Sequence, residues 1–172
     1  LFLTKEEEIF LKNKLPYLPP TYIDFLKGYR FDPAEVEVEM TDGKLSIRSS
    51  GLLYRITFWE TPILAIVSEL YFREMGVTPD VEYMERRLIE KATLMREHGI
   101  VFSLFGMRRR FSFGVEDRIT ELLKLHSDSN FFGTSNVYLA YKHNLNPSGT
   151  HPHEWVQFHG SIYGYKMANY MA

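Results

Sequence analysis

IVFSLFG, at residues 100–106, is a nearly continuous apolar run that ends in a glycine. Arg108, Arg109 and Arg110 follow it, and Glu116 then opens a helical pattern of apolar residues. A short apolar run of this kind favours a strand buried on both faces, as in a parallel sheet. The stretch therefore predicts a strand, a polar turn and a helix in succession.

The same succession occurs twice more along the chain. Residues 130–133 and 146–150 are predicted strands, and helical patterns follow from Asn136 and from His153. Repeated strand-helix units of this length indicate a parallel sheet or an α/β barrel. If the strands are parallel neighbours, their polar ends meet at one edge, which is where α/β folds place ligands.

The residues before this repeat show a different pattern. The alternation of apolar and polar residues at 35–47 predicts a β-hairpin with one buried face and one acidic face. Residues 52–59 favour a third strand, and helical spacing predicts helices within residues 62–75 and 79–98. We therefore expect two folding units that meet near residue 99.

The composition is that of an ordinary globular protein. Charged residues make up 24% and the net charge is −2, so neither nucleic acid nor a membrane is expected as a partner. The chain contains no cysteine, which fits a reducing, cytoplasmic compartment and excludes a thiolate zinc site. Its apolar runs are too short to span a bilayer. Because Leu1 is not an initiator methionine, we expect the chain to begin inside a longer protein.

The first two polar turns carry groups that bind anions. The guanidinium groups of Arg108, Arg109 and Arg110 could hold a phosphate or a carboxylate through paired hydrogen bonds. A solvated basic turn is the alternative interpretation. Residues 133–136 (GTSN) offer hydroxyls and backbone N–H groups for an anion, or they form an ordinary helix N-cap.

The third turn, residues 149–155 (GTHPHEW), contains a hydroxyl, two imidazoles and a carboxylate. A neutral imidazole beside a carboxylate can act as a base, a nucleophile or a phosphate acceptor. A histidine packed against Trp155 is the alternative. A metal site formed by His151, His153 and His159 is disfavoured, because spacings of two and six do not share a helical face.

Four stretches together resemble the nicotinate phosphoribosyltransferase family. They are residues 54–65 (YRITFWETPILA), 105–109 (FGMRR), 132–137 (FGTSNV) and 149–155 (GTHPHEW), and they occur in the family's order. The resemblance implies an enzyme that transfers a phosphoribosyl group from phosphoribosyl pyrophosphate to nicotinate, coupled to ATP hydrolysis, in NAD biosynthesis.

The resemblance also implies an α/β fold in two parts. Residues 1–99 would form the α+β part of a sandwich domain, and residues 100–172 the first βα units of an irregular α/β barrel. The family's N-terminal segment, whose tyrosine stacks on the pyridine ring, has no counterpart in the chain. The later barrel strands, which carry an acidic ribose and metal site, also have none. The chain therefore resembles the middle of the enzyme.

The resemblance assigns roles to individual residues. His153 matches the histidine that the family phosphorylates from ATP, and Glu154 stands beside it as a second catalytic candidate. Mg²⁺ is implied for the pyrophosphate, without protein ligands in this chain, and a homodimer is compatible with the family. The candidate substrate-binding residues are Arg108, Arg109, Thr134, Ser135 and Thr150.

Two alternatives remain open from the sequence. One is another pyridine phosphoribosyltransferase that uses nicotinamide or quinolinate, although quinolinate enzymes require more basic residues and lack the phosphorylated histidine. The other is a non-catalytic α/β module that binds a phosphorylated ligand. The sequence leaves the activity of this chain alone and its oligomeric state undetermined.

Overall fold

The protein is described by a computed structural model that covers residues 2–150 and 153–164, without the side chain of Glu154. The helices of this part of the chain are α1 (Lys5–Lys14), α2 (Pro20–Gly28), α3 (Leu53–Ile56), α4 (Glu60–Glu74), α5 (Val81–Glu97), α6 (Phe113–His126), α7 (Val137–Lys142) and α8 (His153–Tyr163). The strands are β1 (Val36–Thr41), β2 (Lys44–Ser49), β3 (Phe102–Leu104), β4 (Phe131–Thr134) and β5 (Asn146–Pro147). The predicted α/β class is confirmed.

The βα repeat forms a parallel sheet in the order β3-β4-β5. At the centre of the sheet, a glycine of β4 lies directly against the backbone of β5. A Cβ atom added to Gly133 would lie 1.8 Å from the backbone oxygen of Asn146. The glycine that the sequence places at the end of this strand is therefore required by the close approach of two backbones.

The core lies between this sheet and the helices that cover it. Its fully buried members come from α5, α6, β4, α7 and the residue before β5, namely Ala92, Leu123, Phe131, Ala140 and Leu145. Phe10 of α1 and Leu88 of α5 pack against the same cluster. Helices from both sides of residue 99 therefore contribute to one core.

Burial of β3 differs from the sequence prediction. The strand is shorter than the apolar run that contains it, and Val101 and Phe105 beside it are 65% and 52% exposed. The expectation of a strand buried on both faces is wrong here, because β3 lies at the edge of the sheet that the described residues form.

The predicted hairpin is confirmed as β1 paired antiparallel with β2. Its turn uses Asp42 and Gly43 with φ angles of 51° and 73°, as a two-residue hairpin turn requires. The predicted burial of its apolar face is wrong, since Val38 and Met40 are 63% and 67% exposed. Alternation predicts which side chains share a face, but it does not supply an element to cover them.

The third strand predicted at residues 52–59 is wrong, because these residues form α3 and a following 3-10 turn. Tyr54 and Phe58, four residues apart, both contact the ring of Phe25, with centroid distances of 5.7 and 5.9 Å. Side chains four residues apart share one face of a helix but would not be directly adjacent on a strand. The apolar composition is the same in both cases, so a distant partner decides the structure.

A second contact of the same segment has the same spacing. Arg55 and Trp59 both donate hydrogen bonds to the carboxylate of Glu35, and the Trp59 bond measures 2.9 Å. These hydrogen bonds lower the pKa of Glu35, and the bond from Arg55 has the larger effect. One carboxylate that precedes the hairpin therefore fixes the segment in its helical form.

Glu8 joins the first two helices. The residue is 3% exposed, and its carboxylate accepts hydrogen bonds from Lys12 at 2.5 Å and from Lys5 at 3.2 Å. Lys27 of α2 lies 3.7 Å away. The hydrogen bond from Lys12, with that from Lys5, lowers the pKa of Glu8 to about 2.

None of the described helices combines the length and the apolar composition that a membrane span requires.

Candidate active site

A cavity lies at the carboxyl ends of the parallel strands. Its volume is about 390 Å³, and residues from all three polar turns line it together with one residue of α4. The lining residues are Thr61, Phe105, Gly106, Met107, Arg108, Arg109, Ser135, Gly149 and Thr150. Four of the five predicted substrate-binding residues are thus brought to one place from positions up to 42 residues apart along the chain.

The two arginines of the first turn differ in their surroundings. Both belong to a 3-10 turn after β3, and both are exposed. The guanidinium of Arg108 forms an ion pair with Glu60 of α4. Arg109 has no ion-pair partner among the residues that the structure describes. Arg109 is therefore the cation that is available to an incoming anion, whereas Arg108 must first exchange Glu60.

Arg110 is not part of the solvated turn. Its side chain is 16% exposed and donates to the buried carboxylate of Glu116 at 2.8 Å. Its guanidinium also lies 5.2 Å from the ring centroid of Phe113. The third arginine of the motif therefore holds the turn in place, and only the first two face the cavity.

The second turn uses its backbone donors internally. The N–H of Ser135 donates to Leu104 at 3.0 Å, and the N–H of Asn136 donates to the Thr134 hydroxyl at 3.1 Å. The Asn136 side chain caps α7 by accepting from Leu139 at 3.2 Å. These two N–H groups are therefore not available to an anion, and Asn136 caps the helix as the N-cap interpretation predicts.

Thr134 and Ser135 therefore have different environments. Thr134 is fully buried at 0% exposure, so its hydroxyl orders the turn and does not reach the cavity. Ser135 is the residue of this turn that lines the cavity. The sequence cannot distinguish the buried residue from the partly exposed one, because the two are adjacent and chemically alike.

The third turn contributes Thr150 to the cavity and leads into α8. His153 is the first residue of α8, and its side chain is exposed. It is not among the described residues that line the cavity. His151 and the side chain of Glu154 lie outside the described residues, so their predicted roles stay predictions.

The histidine that packs against Trp155 is His159. It is 9% exposed, its Nδ1 lies 2.8 Å from the Trp155 carbonyl oxygen, and the two rings are 4.4 Å apart. Within residues 2–150 and 153–164, no group of three or more histidine and carboxylate side chains could hold a metal ion.

Helix α4 forms a wall that the sequence reasoning did not assign. Thr61 lines the cavity and Glu60 pairs with Arg108, while the hydroxyl of Ser68 donates to the Arg110 carbonyl oxygen at 3.0 Å. The N–H of Phe113 donates to Glu69 at 3.2 Å. The sequence did contain a signal for this wall. Thr61 and Glu60 lie within residues 54–65, a stretch that resembles the family but had been given no functional role.

The arrangement can bind anions and orient them. It combines two guanidinium groups with hydroxyl side chains, and none of the described lining residues is a histidine or a carboxylate. Such a set supplies charge-assisted hydrogen bonds to phosphate or carboxylate oxygens. The part of the lining that the structure describes contributes positioning and electrostatic stabilisation to a reaction.

Comparison with protein families gives two matches. The family model described as the nicotinate phosphoribosyltransferase (NAPRTase) N-terminal domain matches residues 1–68. The model of the nicotinate phosphoribosyltransferase (NAPRTase) family matches residues 100–171.

Individual relatives and solved structures agree with these matches. The chain is 42% identical to a nicotinate phosphoribosyltransferase of Chromohalobacter salexigens, over 100% of this chain and 44% of that protein. It is similar to the crystal structure of a nicotinate phosphoribosyltransferase from Porphyromonas gingivalis, with a TM-score of 0.95 and 62% identity over 99% of this chain and 44% of that one. For the structure of a putative nicotinate phosphoribosyltransferase from Saccharomyces cerevisiae, the TM-score is 0.88 and the identity 34%, over 99% and 45% of the two chains. The chain thus spans less than half the length of these relatives.

Proposed function

Since the chain belongs to the nicotinate phosphoribosyltransferase family, we propose that it is part of an enzyme that makes nicotinate mononucleotide for NAD biosynthesis. The enzyme transfers the phosphoribosyl group of phosphoribosyl pyrophosphate to nicotinate and releases pyrophosphate, with ATP as co-substrate. The observation that supports this most is the convergence of Arg108, Arg109, Ser135 and Thr150 on one cavity at the ends of the parallel strands.

The two arginines hold the anionic groups of the substrates. Arg109 binds first because its guanidinium is unpaired among the described residues, and Arg108 joins after it releases Glu60. Thr150 and Ser135 bind the nicotinate carboxylate and neighbouring oxygens through their hydroxyls. Thr134 supports this set from the interior by fixing the turn that carries Ser135.

The chemistry of the transfer suits a cationic site without a general base. The bond between the ribose carbon and pyrophosphate breaks with both electrons leaving on the pyrophosphate oxygen, and the pyridine nitrogen supplies the electrons for the new bond. Because the leaving group gains negative charge, guanidinium groups placed beside it lower the barrier more than they stabilise the bound substrate. Holding nicotinate in line with the ribose carbon contributes the remainder by removing orientational freedom.

His153 is the residue that accepts a phosphoryl group from ATP in this proposal. It is the first residue of the eleven-residue helix α8 and is exposed to solvent, so the imidazole is accessible to a nucleotide. Phosphorylation would couple ATP to the transfer by changing how tightly the site holds substrates and products. Glu154 is proposed to orient the imidazole ring.

Mg²⁺ does not fit the described residues as a protein-bound ion. They contain no cluster of three metal ligands, and the lining of the cavity is cationic. The homodimer and the cytoplasmic location remain part of the proposal, and measuring the mass of the complete protein by light scattering tests the first.

Turnover by the complete enzyme tests the proposal directly. The complete protein is incubated with phosphoribosyl pyrophosphate, ATP, Mg²⁺ and either nicotinate, nicotinamide or quinolinate, and mononucleotide and pyrophosphate are measured. Formation from nicotinate in preference to the other two is expected. Preference for nicotinamide or quinolinate would favour the related phosphoribosyltransferases, and tight binding without turnover would favour a non-catalytic module.

Labelling tests the role of His153 separately. The complete wild-type enzyme and the His153→Asn variant are incubated with γ-labelled ATP, and the acid-labile label is mapped. We expect the label on His153 in the wild type and none in the variant, which should retain slow transfer without ATP stimulation. Undiminished label in the variant, or label on His151, would contradict this role.

A further inference from the structure

A single buried carboxylate connects two walls of the cavity. Glu116, in the first turn of α6, is 3% exposed, and its Oε2 accepts from Arg110 at 2.8 Å and from Asn136 at 3.3 Å. Arg110 lies two residues after Arg108 in the first polar turn. Asn136 directly follows Ser135 in the second. Glu116 therefore joins the turn that carries the arginines to the turn that carries the cavity serine.

Each arm of this connection is itself fixed. The backbone carbonyl of Arg110 accepts from Ser68 of α4, and the Asn136 side chain accepts from the N–H of Leu139 in α7. A displacement of the carboxylate would therefore act on both turns, through the side chains of Arg110 and Asn136 that hydrogen-bond to it. The spacing between the two walls therefore depends on this side chain together with the backbone hydrogen bond from Ser135 to Leu104.

Stability alone does not explain the hydrogen-bond network of Glu116. Glu116 Oε1 and Arg110 Nε are buried, and neither has a partner among the described residues. Buried ion pairs with unsatisfied atoms generally stabilise a fold less than apolar side chains of similar volume would. The cost of burying these groups is therefore better explained by the geometry that they impose on the neighbouring turns.

We propose that Glu116 is a positioning residue of the anion site, which sets the distance between the Arg108–Arg109 turn and Ser135. It does not line the cavity, and the inference rests on the proposed function of that cavity. Loss of the carboxylate should move the cationic groups away from the hydroxyls and thus weaken binding of phosphoribosyl pyrophosphate. A residue that only stabilises the fold would instead reduce the amount of active enzyme and leave KM unchanged.

The test is steady-state kinetics of the complete enzyme carrying Glu116→Gln, Arg110→Gln or both substitutions. Glu121→Gln is the matched control, because Glu121 lies on the same helix and is exposed, with its carboxylate paired to Arg118. Each single substitution is expected to raise the KM for phosphoribosyl pyrophosphate about tenfold, with a smaller change in kcat. The double variant should recover most of the loss, since two amides can hydrogen-bond without leaving a buried charge unpaired.

Asn136→Ser is a second, milder variant in case Glu116→Gln does not fold. Serine still caps α7, but it no longer donates to Glu116, so KM should rise without loss of the helix. If Glu116→Gln and Asn136→Ser both have the KM of the Glu121→Gln control, the positioning role is wrong. A kcat reduced in proportion to the folded fraction, with KM unchanged, would likewise overturn it.

Arg109→Ala in the same assay separates this inference from the proposed function. If Arg109→Ala raises KM and the Glu116 and Asn136 variants do not, the anion site stands and only the positioning role fails. If Arg109→Ala also has no effect on KM, the proposed anion site itself fails.

Discussion

The two parts of the chain obtain their structure from different sources. In the βα part, the second and third polar turns are held by backbone hydrogen bonds to the preceding strand, from Ser135 to Leu104 and from Ser148 to Thr134, both at 3.0 Å. In the part before residue 99, side chains far apart in sequence decide the structure, as where Glu35 holds α3 and its following turn. Apolar runs and glycines indicate the first kind of structure, whereas the second depends on particular side-chain contacts, so the parallel strands were predicted more accurately than the helix at residues 52–59.

The largest effect is expected at the close contact inside the βα part. Gly133→Ala places a Cβ atom 1.8 Å from the Asn146 oxygen, and two paired backbones cannot separate without breaking the sheet. We expect destabilisation of about 3 kcal/mol, measured by urea unfolding. Gly149→Ala is the control, because its Cβ meets no heavy atom within 4 Å and should change stability by less than about 0.5 kcal/mol. Equal stability of the two variants would contradict the close approach.

The helical form of residues 52–59 is tested by its aromatic contact. Phe58 lies with its ring 4.9 Å from that of Tyr29 and 5.9 Å from that of Phe25. Phe58→Ala should therefore cost about 2 kcal/mol, somewhat less than for a fully buried phenylalanine. Thr57→Val, at the exposed neighbour, should stay within about 0.5 kcal/mol. If Thr57→Val is the more damaging change, the segment does not have the helical orientation described.

Acid should act on the N-terminal part through Glu8. The folded pKa of Glu8, about 2, is below its ordinary value of 4.5, so its contribution to stability is present above pH 4.5. This contribution is lost as the pH falls from 4.5 towards 2. The melting temperature of the wild type should therefore fall more over this interval than that of Glu8→Gln. Parallel curves for the two proteins would show that the carboxylate is not held as described.

The smallest effect is expected where the two parts meet, at the Glu60–Arg108 pair. Both side chains are about half exposed, so Glu60→Gln should change the stability by less than about 0.5 kcal/mol. The substitution frees Arg108 for substrate, and KM for phosphoribosyl pyrophosphate should fall about twofold. Glu90→Gln, which removes an exposed partner of Arg87 on α5, is the control. A raised KM in Glu60→Gln would mean that Glu60 orients Arg108 for binding and does not compete for it.

The sequence predicted the parallel strands and the convergence of their polar ends, because apolar runs and glycines are local signals. It could not rank residues within one turn. Thr134 and Ser135, like Arg109 and Arg110, are alike in sequence, and only tertiary contacts bury one member of each pair. The helix at residues 52–59 was missed for the same reason, since the residues that determine its conformation, Phe25 and Glu35, lie at least twenty residues away from their contacts.

The most direct test of the anion site compares kcat/KM for Arg108→Ala, Arg109→Ala and Arg118→Ala in the complete enzyme. Arg108 and Arg109 line the cavity, whereas Arg118 lies on α6 and pairs with Glu85. Removal of a charge-assisted hydrogen bond should cost about 2 kcal/mol, which is roughly a 30-fold loss in kcat/KM with phosphoribosyl pyrophosphate or nicotinate. The account predicts this loss for Arg108 and Arg109 and almost none for Arg118. Unchanged constants for both substrates in the Arg108 and Arg109 variants would contradict it.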